Sequence, residues 1–279
     1  LTSVGSEEDI QIPPRKVYPK SISSLKTYRL CGRQWEEIRF NKISRQPAAW
    51  LPQGTAFHAG YEAWEKSRRT LTFSDVFTLY HESFDSELAK YEAEYPDKSQ
   101  WLTMGRTKID NDIKNRRERG YEQLEKYMIR CQKEEKDWGV YELPDGEPAL
   151  EVPFAVYLTP TILVKGYIDL IVEWKRNGMI SVRDLKTGNR EETALQLGMY
   201  AVAANELFGE EITWGDYYYA KDDTYSPLIH LERLDKEYFI REFEMMEAGI
   251  DNRIFLTNPG GHCALCPAQN ICPEYGSAR

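Results

Sequence analysis

The sequence has no long hydrophobic run. None of its apolar stretches approaches the ~18 residues needed to span a bilayer, and its first residues carry no signal-peptide pattern. No membrane contact is expected. Cysteine is scarce and odd in number, five in 279 residues, which argues against a disulfide framework. Basic charge is also short. Lys and Arg total 36 against 45 Asp and Glu, a net charge of −9, whereas proteins that hold nucleic acid by bulk charge are usually basic. Any contact with DNA must then run through a local basic strip or through metal ions. There is no repeat of fixed period. Charged residues at 29% and hydrophobic residues at 41% exclude both a disordered and a fibrous chain. The length allows one large domain or two small ones.

Residues 1–20 are polar and hold Pro13, Pro14 and Pro19, which predicts a loose leader. Ser21 offers an N-cap for a helix running to about Cys31, and a second helix is expected after Pro52 through GTAFHAGYEAWEKSRR. Residues 72–138 read as mostly helical with a break near Tyr95-Pro96-Asp97, a helical insertion (about 70–138) in a larger core. ALEVPFAVYL, ILVKGYIDLIVEW and MISVRDLK are short, apolar and β-branched, the pattern of strands. Helix returns over Glu192–Phe208 and Lys236–Asn252, with ITWGDYYYAK and SPLIHLERL between them as candidate strands. The tail NPGGHCALCPAQNICPEYG is too rich in Gly, Pro and Cys for regular structure. The fold class is α/β (α+β): a central mixed sheet flanked by helices, with a Cys-rich C-terminal patch.

Asn177-Gly178 is a strong hairpin signal. A two-residue turn there sets Arg176 against Met179 and Asp169 opposite Lys186. A four-residue loop sets Asp169 directly against Asp184. Side chains alternate with period two, so Asp169, Asp184 and Lys186 share a face in either register. Two carboxylates and an ammonium among apolar neighbours are costly unless they pair or hold a cation. A hard divalent ion with oxygen ligands suits them, and the lysine would stabilise charge developing on a phosphate or orient the attacking water. For an isolated D-x-K the alternative, a surface Asp–Lys pair, would be preferred. Here Asp169 lies inside GYIDLIVEW, apolar on both faces.

Near the C-terminus Cys263, Cys266 and Cys272 fall within ten residues, and Cys31 lies far upstream. In a reducing compartment such crowding points to metal. Four cysteines suit tetrahedral zinc or an iron–sulfur cluster equally well, and spacing does not separate the two. Cys131, in the helical YMIRCQKEE segment, reads as a packing residue. Residues 105–119 hold six basic side chains (Arg106, Lys108, Lys114, Arg116, Arg117, Arg119) against three acidic ones, either a phosphate-binding strip or a solvated helix face.

These residues resemble the RecB/AddB-type branch of the PD-(D/E)xK nucleases. The resemblance rests on GYID (Gly166–Asp169), DLKTG (Asp184–Gly188) and QLGMY (Gln196–Tyr200), with GTAFH (Gly54–His58) and LKTYRLCGRQWEEIRF upstream and CALCPAQNIC at the end. It runs from about Ser21 to Tyr275 and covers the helical insertion poorly. Cys31-Gly32 stands where relatives commonly have Cys-Pro. The resemblance implies a single nuclease domain over 21–279 with a restriction-endonuclease-like core. It implies a metal (Mg²⁺ or Mn²⁺) held by His58, Asp169, Asp184 and the Leu185 carbonyl, with Lys186 as the catalytic lysine. Gln196 and Tyr200, four apart on one helix face, would line the site. Cys31, Cys263, Cys266 and Cys272 would hold a [4Fe–4S] cluster.

The activity implied is a metal-dependent DNA exonuclease acting on single strands or ends, in the cytoplasm of a bacterial, archaeal or phage-infected cell. The alternatives are an accessory DNA-trimming nuclease with a recombination or CRISPR-adaptation protein partner, and a non-catalytic DNA-binding module. Glu151 is left outside the site, since a salt-bridge partner is at least as good a reading of it as a strand carboxylate near the metal. Glu62 reads as a solvated helix charge.

Overall fold

The computed structural model describes residues 19–103, 106–190 and 193–275. Residues 1–18 of the leader, Gly105 of the basic strip, Glu192 at the start of the expected helix and residues 276–279 lie outside them.

Helices and strands appear in the order the sequence suggests. Ser21 caps α1 (Ile22–Leu30) through the Ser24 amide. A short α2 (Gly32–Trp35) and a π-helical turn (Glu36–Phe40) follow. The next helix, α3 (Trp50–Lys66), starts two residues before Pro52, which sits in its first turn where a missing N–H costs nothing. Thr72 and Asp75 form a reciprocal capping box at the start of α4 (Phe73–Glu94), and α5 (Ile109–Lys133) completes this helical stretch. Then come β1 (Trp138–Val140), β2 (Leu150–Thr159), β3 (Ile162–Trp174), β4 (Met179–Lys186), α6 (Leu195–Phe208) and β5 (Trp214–Tyr219). The expected strand in SPLIHLERL reduces to β7 (Ile229–His230), which pairs with the start of β5, while β6 (Thr224–Tyr225) pairs with its end. Last come α7 (Lys236–Asp251), capped by Asp235, and a tail whose regular part among the described residues is one 3₁₀ turn, Gly261–Leu265.

The sheet is mixed. β1 and β2 lie end to end along one edge of β3, β4 pairs antiparallel with its other edge, and β4 pairs parallel with β5 across the α6 crossover. The β3–β4 loop has four residues, with Trp174 against Met179. Gly178 takes φ +67°, and its amide bonds back to the Trp174 carbonyl at 2.8 Å. Asn177-Gly178 thus closes the loop without being the two-residue turn, and the register that sets Asp169 against Asp184 is the one adopted. At Gly166 the cross-strand partner is Phe154, and an added Cβ would lie 2.7 Å from its ring, so only glycine admits that ring.

Each face of the sheet carries its own core. One is built from α1, α6 and α7 on residues such as Val152, Ile168 and Val182. The other is built from α3, α4 and α5 on residues such as Leu150, Leu170 and Leu185. Residues two apart on a flat strand share a face. Yet the successive cross-strand pairs Leu150–Leu170 and Val152–Ile168 face opposite cores. The ribbon turns over between them, at Glu151 and Asp169, and Glu151 takes a left-handed φ of +45°. Helices from both layers can therefore reach this point. On β4, Arg183 points away from Asp184 into the α3–α5 side. It makes a buried two-pronged pair with Asp216 of β5, 2.7 Å on each prong, with its guanidinium 4.2 Å from the centre of the Tyr225 ring. That pair ties the parallel β4–β5 register directly behind Asp184.

Candidate active site

Asp169 and Asp184 meet at the turnover of the sheet, both buried. The Tyr200 hydroxyl from α6 stands between them, donating to Asp169 Oδ1 at 3.0 Å with Asp184 Oδ1 3.3 Å away. The second oxygen of Asp169 accepts the Leu185 amide at 3.0 Å. Lys186 Nζ lies 2.6 Å from Asp184 Oδ2 and donates to Gln196 Oε1 at 3.1 Å, while Gln196 Nε2 donates to the Tyr200 hydroxyl at 2.7 Å. Lys186, Gln196, Tyr200 and the two aspartates form one connected network.

The α3 helix supplies the opposite wall. His58 Nδ1 donates to Glu151 Oε1 at 2.7 Å, and its Nε2 lies 3.3 Å from the Leu185 carbonyl. The Tyr61 hydroxyl stands 2.6 Å from the same Glu151 oxygen and 2.9 Å from the Asp169 carbonyl. Among the described residues, His58, Glu151 and Asp169 are the one group of three or more His, Cys, Asp or Glu side chains with donor atoms within 4.8 Å of one another.

The charges in this pocket are poorly neutralised. Burial, and then the neighbouring Asp169, push the Asp184 carboxyl up to about 6, against the pull of Lys186. Burial likewise raises Asp169. His58 reaches about 9: burial acts against its charge, but Asp169 and Glu151 outweigh it. Burial pushes the Tyr61 and Tyr200 hydroxyls well up, so both remain protonated donors. Buried carboxylates with raised pKa beside an imidazole and a backbone carbonyl are a donor set for a hard divalent cation, and these residues fit one.

Every residue expected at the site from sequence (His58, Asp169, Asp184, Leu185, Lys186, Gln196, Tyr200) lies in this one constellation. Glu151, left out on sequence grounds, is part of it. It is a salt-bridge partner, and that partner is His58. The signal that could have found it is its cross-strand position opposite Asp169, legible only once the β2–β3 register is known. Glu62 pairs with Lys66 at 2.6 Å on the helix surface. Three of the six basic residues of the strip have carboxylate partners within the fold: Arg116 pairs with the buried Asp112, Arg117 with Asp85, and Lys114 faces Glu118.

The four cysteines sit elsewhere. Cys31, Cys263, Cys266 and Cys272 are free thiols that line one small cavity between the end of α1 and the tail, while Cys131 is buried against α3–α5. No three of the four cavity cysteines bring their sulfurs within 4.8 Å of one another.

Residues 19–273 match the PD-(D/E)XK nuclease superfamily, and the chain belongs to it. That family is one of metal-dependent nucleases, with DNA as the implied substrate. The chain is also similar to the Gene 69 protein of Mycobacterium phage D29, 33% identical over 267 residues, covering 92% of this chain and 97% of the relative. The Gene 69 protein of Mycobacterium phage L5 is 31% identical over 282 residues, covering 92% and 96%. No described helix is long and apolar enough to cross a membrane.

Proposed function

We propose that this chain is a metal-dependent DNA exonuclease of the RecB/AddB type, acting on single strands or ends. The observation that carries the reading is the junction of Asp169, Asp184 and Lys186 through Tyr200 and Gln196. Asp169, Asp184, the Leu185 carbonyl and His58 Nε2 would hold the divalent ion. The ion would supply Lewis acidity and a water of lowered pKa. Glu151 fixes the His58 ring by accepting a hydrogen bond from its Nδ1–H, the usual outer-shell partner of a ligating imidazole. Lys186, kept forward by Gln196, stabilises the charge that develops on the scissile phosphate. Tyr200 keeps the two carboxylates in register.

The cysteine cavity is proposed to hold a structural [4Fe–4S] cluster. Four thiolates around one cavity satisfy its ligand count. Tetrahedral zinc would take the same four thiolates, and iron and sulfide analysis separates the two. The similar proteins are phage-encoded, which supports the cytoplasm of an infected cell as the place of action.

End-labelled single- and double-stranded DNA, incubated with Mg²⁺ or Mn²⁺ and resolved by length over time, tests the activity. Progressive shortening from an end supports it. Internal cuts alone would make the protein an endonuclease, and intact DNA under both metals would overturn the nuclease reading.

A further inference from the structure

A cleft of about 770 Å³ opens beside the site and is continuous with it at Gln196. Its wall carries Lys26 and Arg29 from α1, Arg45 from the segment before α3, and Arg190 from the loop after β4. Among the described residues no carboxylate lines it, in a chain whose net charge is −9. Arg29 also pairs with Glu242 at 3.2 Å and Arg190 with Asp222 at 3.2 Å, contacts that hold these two side chains in place. Apolar groups line the cleft as well. Leu30, Leu51 and Leu265 are exposed, and Trp50 is half-buried with the Arg116 guanidinium 5.7 Å from its ring centre.

We infer that this cleft binds the single-stranded segment of DNA that flanks the scissile phosphate. The inference rests on the nuclease reading and specifies its substrate. A cleft with four cations and no carboxylate among its lining residues complements a phosphodiester backbone, and the aromatic and apolar groups beside them offer surfaces for unpaired bases. The volume is that of a small-molecule pocket, ~300–1,000 Å³, enough for a few nucleotides and too small for a duplex. The bases must be unpaired to reach Trp50. The contact with Gln196, which holds Lys186, delivers the strand to the catalytic network.

The test is binding in EDTA, which needs no chemistry. Fluorescence anisotropy of a labelled oligo(dT) and of a blunt duplex of equal length is followed across a NaCl series. The wild type should prefer the single strand. The Lys26→Glu/Arg45→Glu double variant should bind at least tenfold more weakly. Its salt dependence should be shallower by about 1.4 in log–log slope, ~0.7 for each lost phosphate contact. Trp50→Ala should weaken binding by roughly fivefold or more, as loss of a stacking platform does. The charge-matched Lys175→Glu/Arg176→Glu variant, on the distant β3–β4 loop, should bind as the wild type does. Melting curves check that each variant is folded.

Unchanged affinity and slope in the cleft double variant would overturn the inference. So would an equal loss in the control, or a preference for duplex. Absence of wild-type cleavage with Mg²⁺ or Mn²⁺ overturns the nuclease reading instead, and the binding experiment still decides the cleft.

Discussion

His58 donates a hydrogen bond to Glu151 at 2.7 Å across 93 residues of chain. The pair joins α3 to the point where β2 and β3 turn over, and it leaves Nε2 facing the Leu185 carbonyl. If Glu151 orients the imidazole, Glu151→Gln should lower affinity for Mn²⁺ by about 10–100-fold. Cleavage should recover at high Mn²⁺, since the ligands themselves remain. Isothermal titration with Mn²⁺, beside cleavage rates over a metal series, separates these effects. Unaltered affinity would reduce Glu151 to a structural tie between α3 and the sheet.

Metal and protons compete for the same groups. Asp184 must be ionised and His58 Nε2 unprotonated to act as ligands, and their values in the metal-free protein are raised to about 6 and about 9. Stabilisation by Mn²⁺ should therefore grow with pH, with the smallest melting shift at pH 5.5 and the largest at pH 8.5. In EDTA the sign reverses. Both groups bind protons more tightly folded than unfolded, so their contribution to stability falls as pH rises. That fall runs from 3.8 to about 6 for Asp184 and from 6.5 to about 9 for His58. Asp184→Asn removes a buried charge that Lys186 only partly offsets. It should abolish cleavage yet melt a few degrees higher in EDTA at pH 7, at roughly 2–4 °C per kcal/mol. A lower melting temperature would mean that the carboxylate is a net stabiliser without metal.

Lys186 acts on the phosphate in the proposed chemistry, not on the metal. Lys186→Ala should slow cleavage by about 10²–10³-fold, the usual effect of removing one charge-stabilising group, with Mn²⁺ affinity little changed. Removing the ammonium also takes a competing cation from Asp184 Oδ2, 2.6 Å away. Loss of metal binding together with turnover would assign Lys186 a structural role.

The cysteine cavity lies between the end of α1 and the C-terminal tail, and the proposed cluster would close a loop around almost the whole core. Cross-links that close long loops remove the most freedom from the unfolded chain. Cys263→Ser or Cys272→Ser should cost solubility and thermal stability before it affects the catalytic network. Anaerobically purified protein should contain iron and acid-labile sulfide. One zinc per chain without either would show that the cysteines hold zinc, and would leave the nuclease site as it is.

Local patterning in the sequence was enough for most of the fold. Ser21 as a cap, the helical stretch broken near Pro96, the three apolar strands and the i, i+4 pair Gln196–Tyr200 are set by interactions within a few residues, and they appear where the pattern puts them. Strand alternation by itself places Asp169, Asp184 and Lys186 on one face. The tertiary structure decided what depends on contacts between distant segments. Asn177-Gly178 is compatible with two loop lengths, and packing on both faces of β3 and β4 selects the one that sets Asp169 against Asp184. Glu151 reads as an ordinary strand carboxylate until β2 pairs with β3 and the ribbon turns over. Only then do His58, Tyr61 and Tyr200, carried by helices on opposite sides of the sheet, converge on the same two strands. Arg116 and Arg117 look like a DNA-binding strip in sequence, but the fold supplies them with carboxylates from Asp112 and Asp85. The cations that line the cleft, Lys26, Arg29, Arg45 and Arg190, come from three separated stretches of chain, and no local signal brings those together.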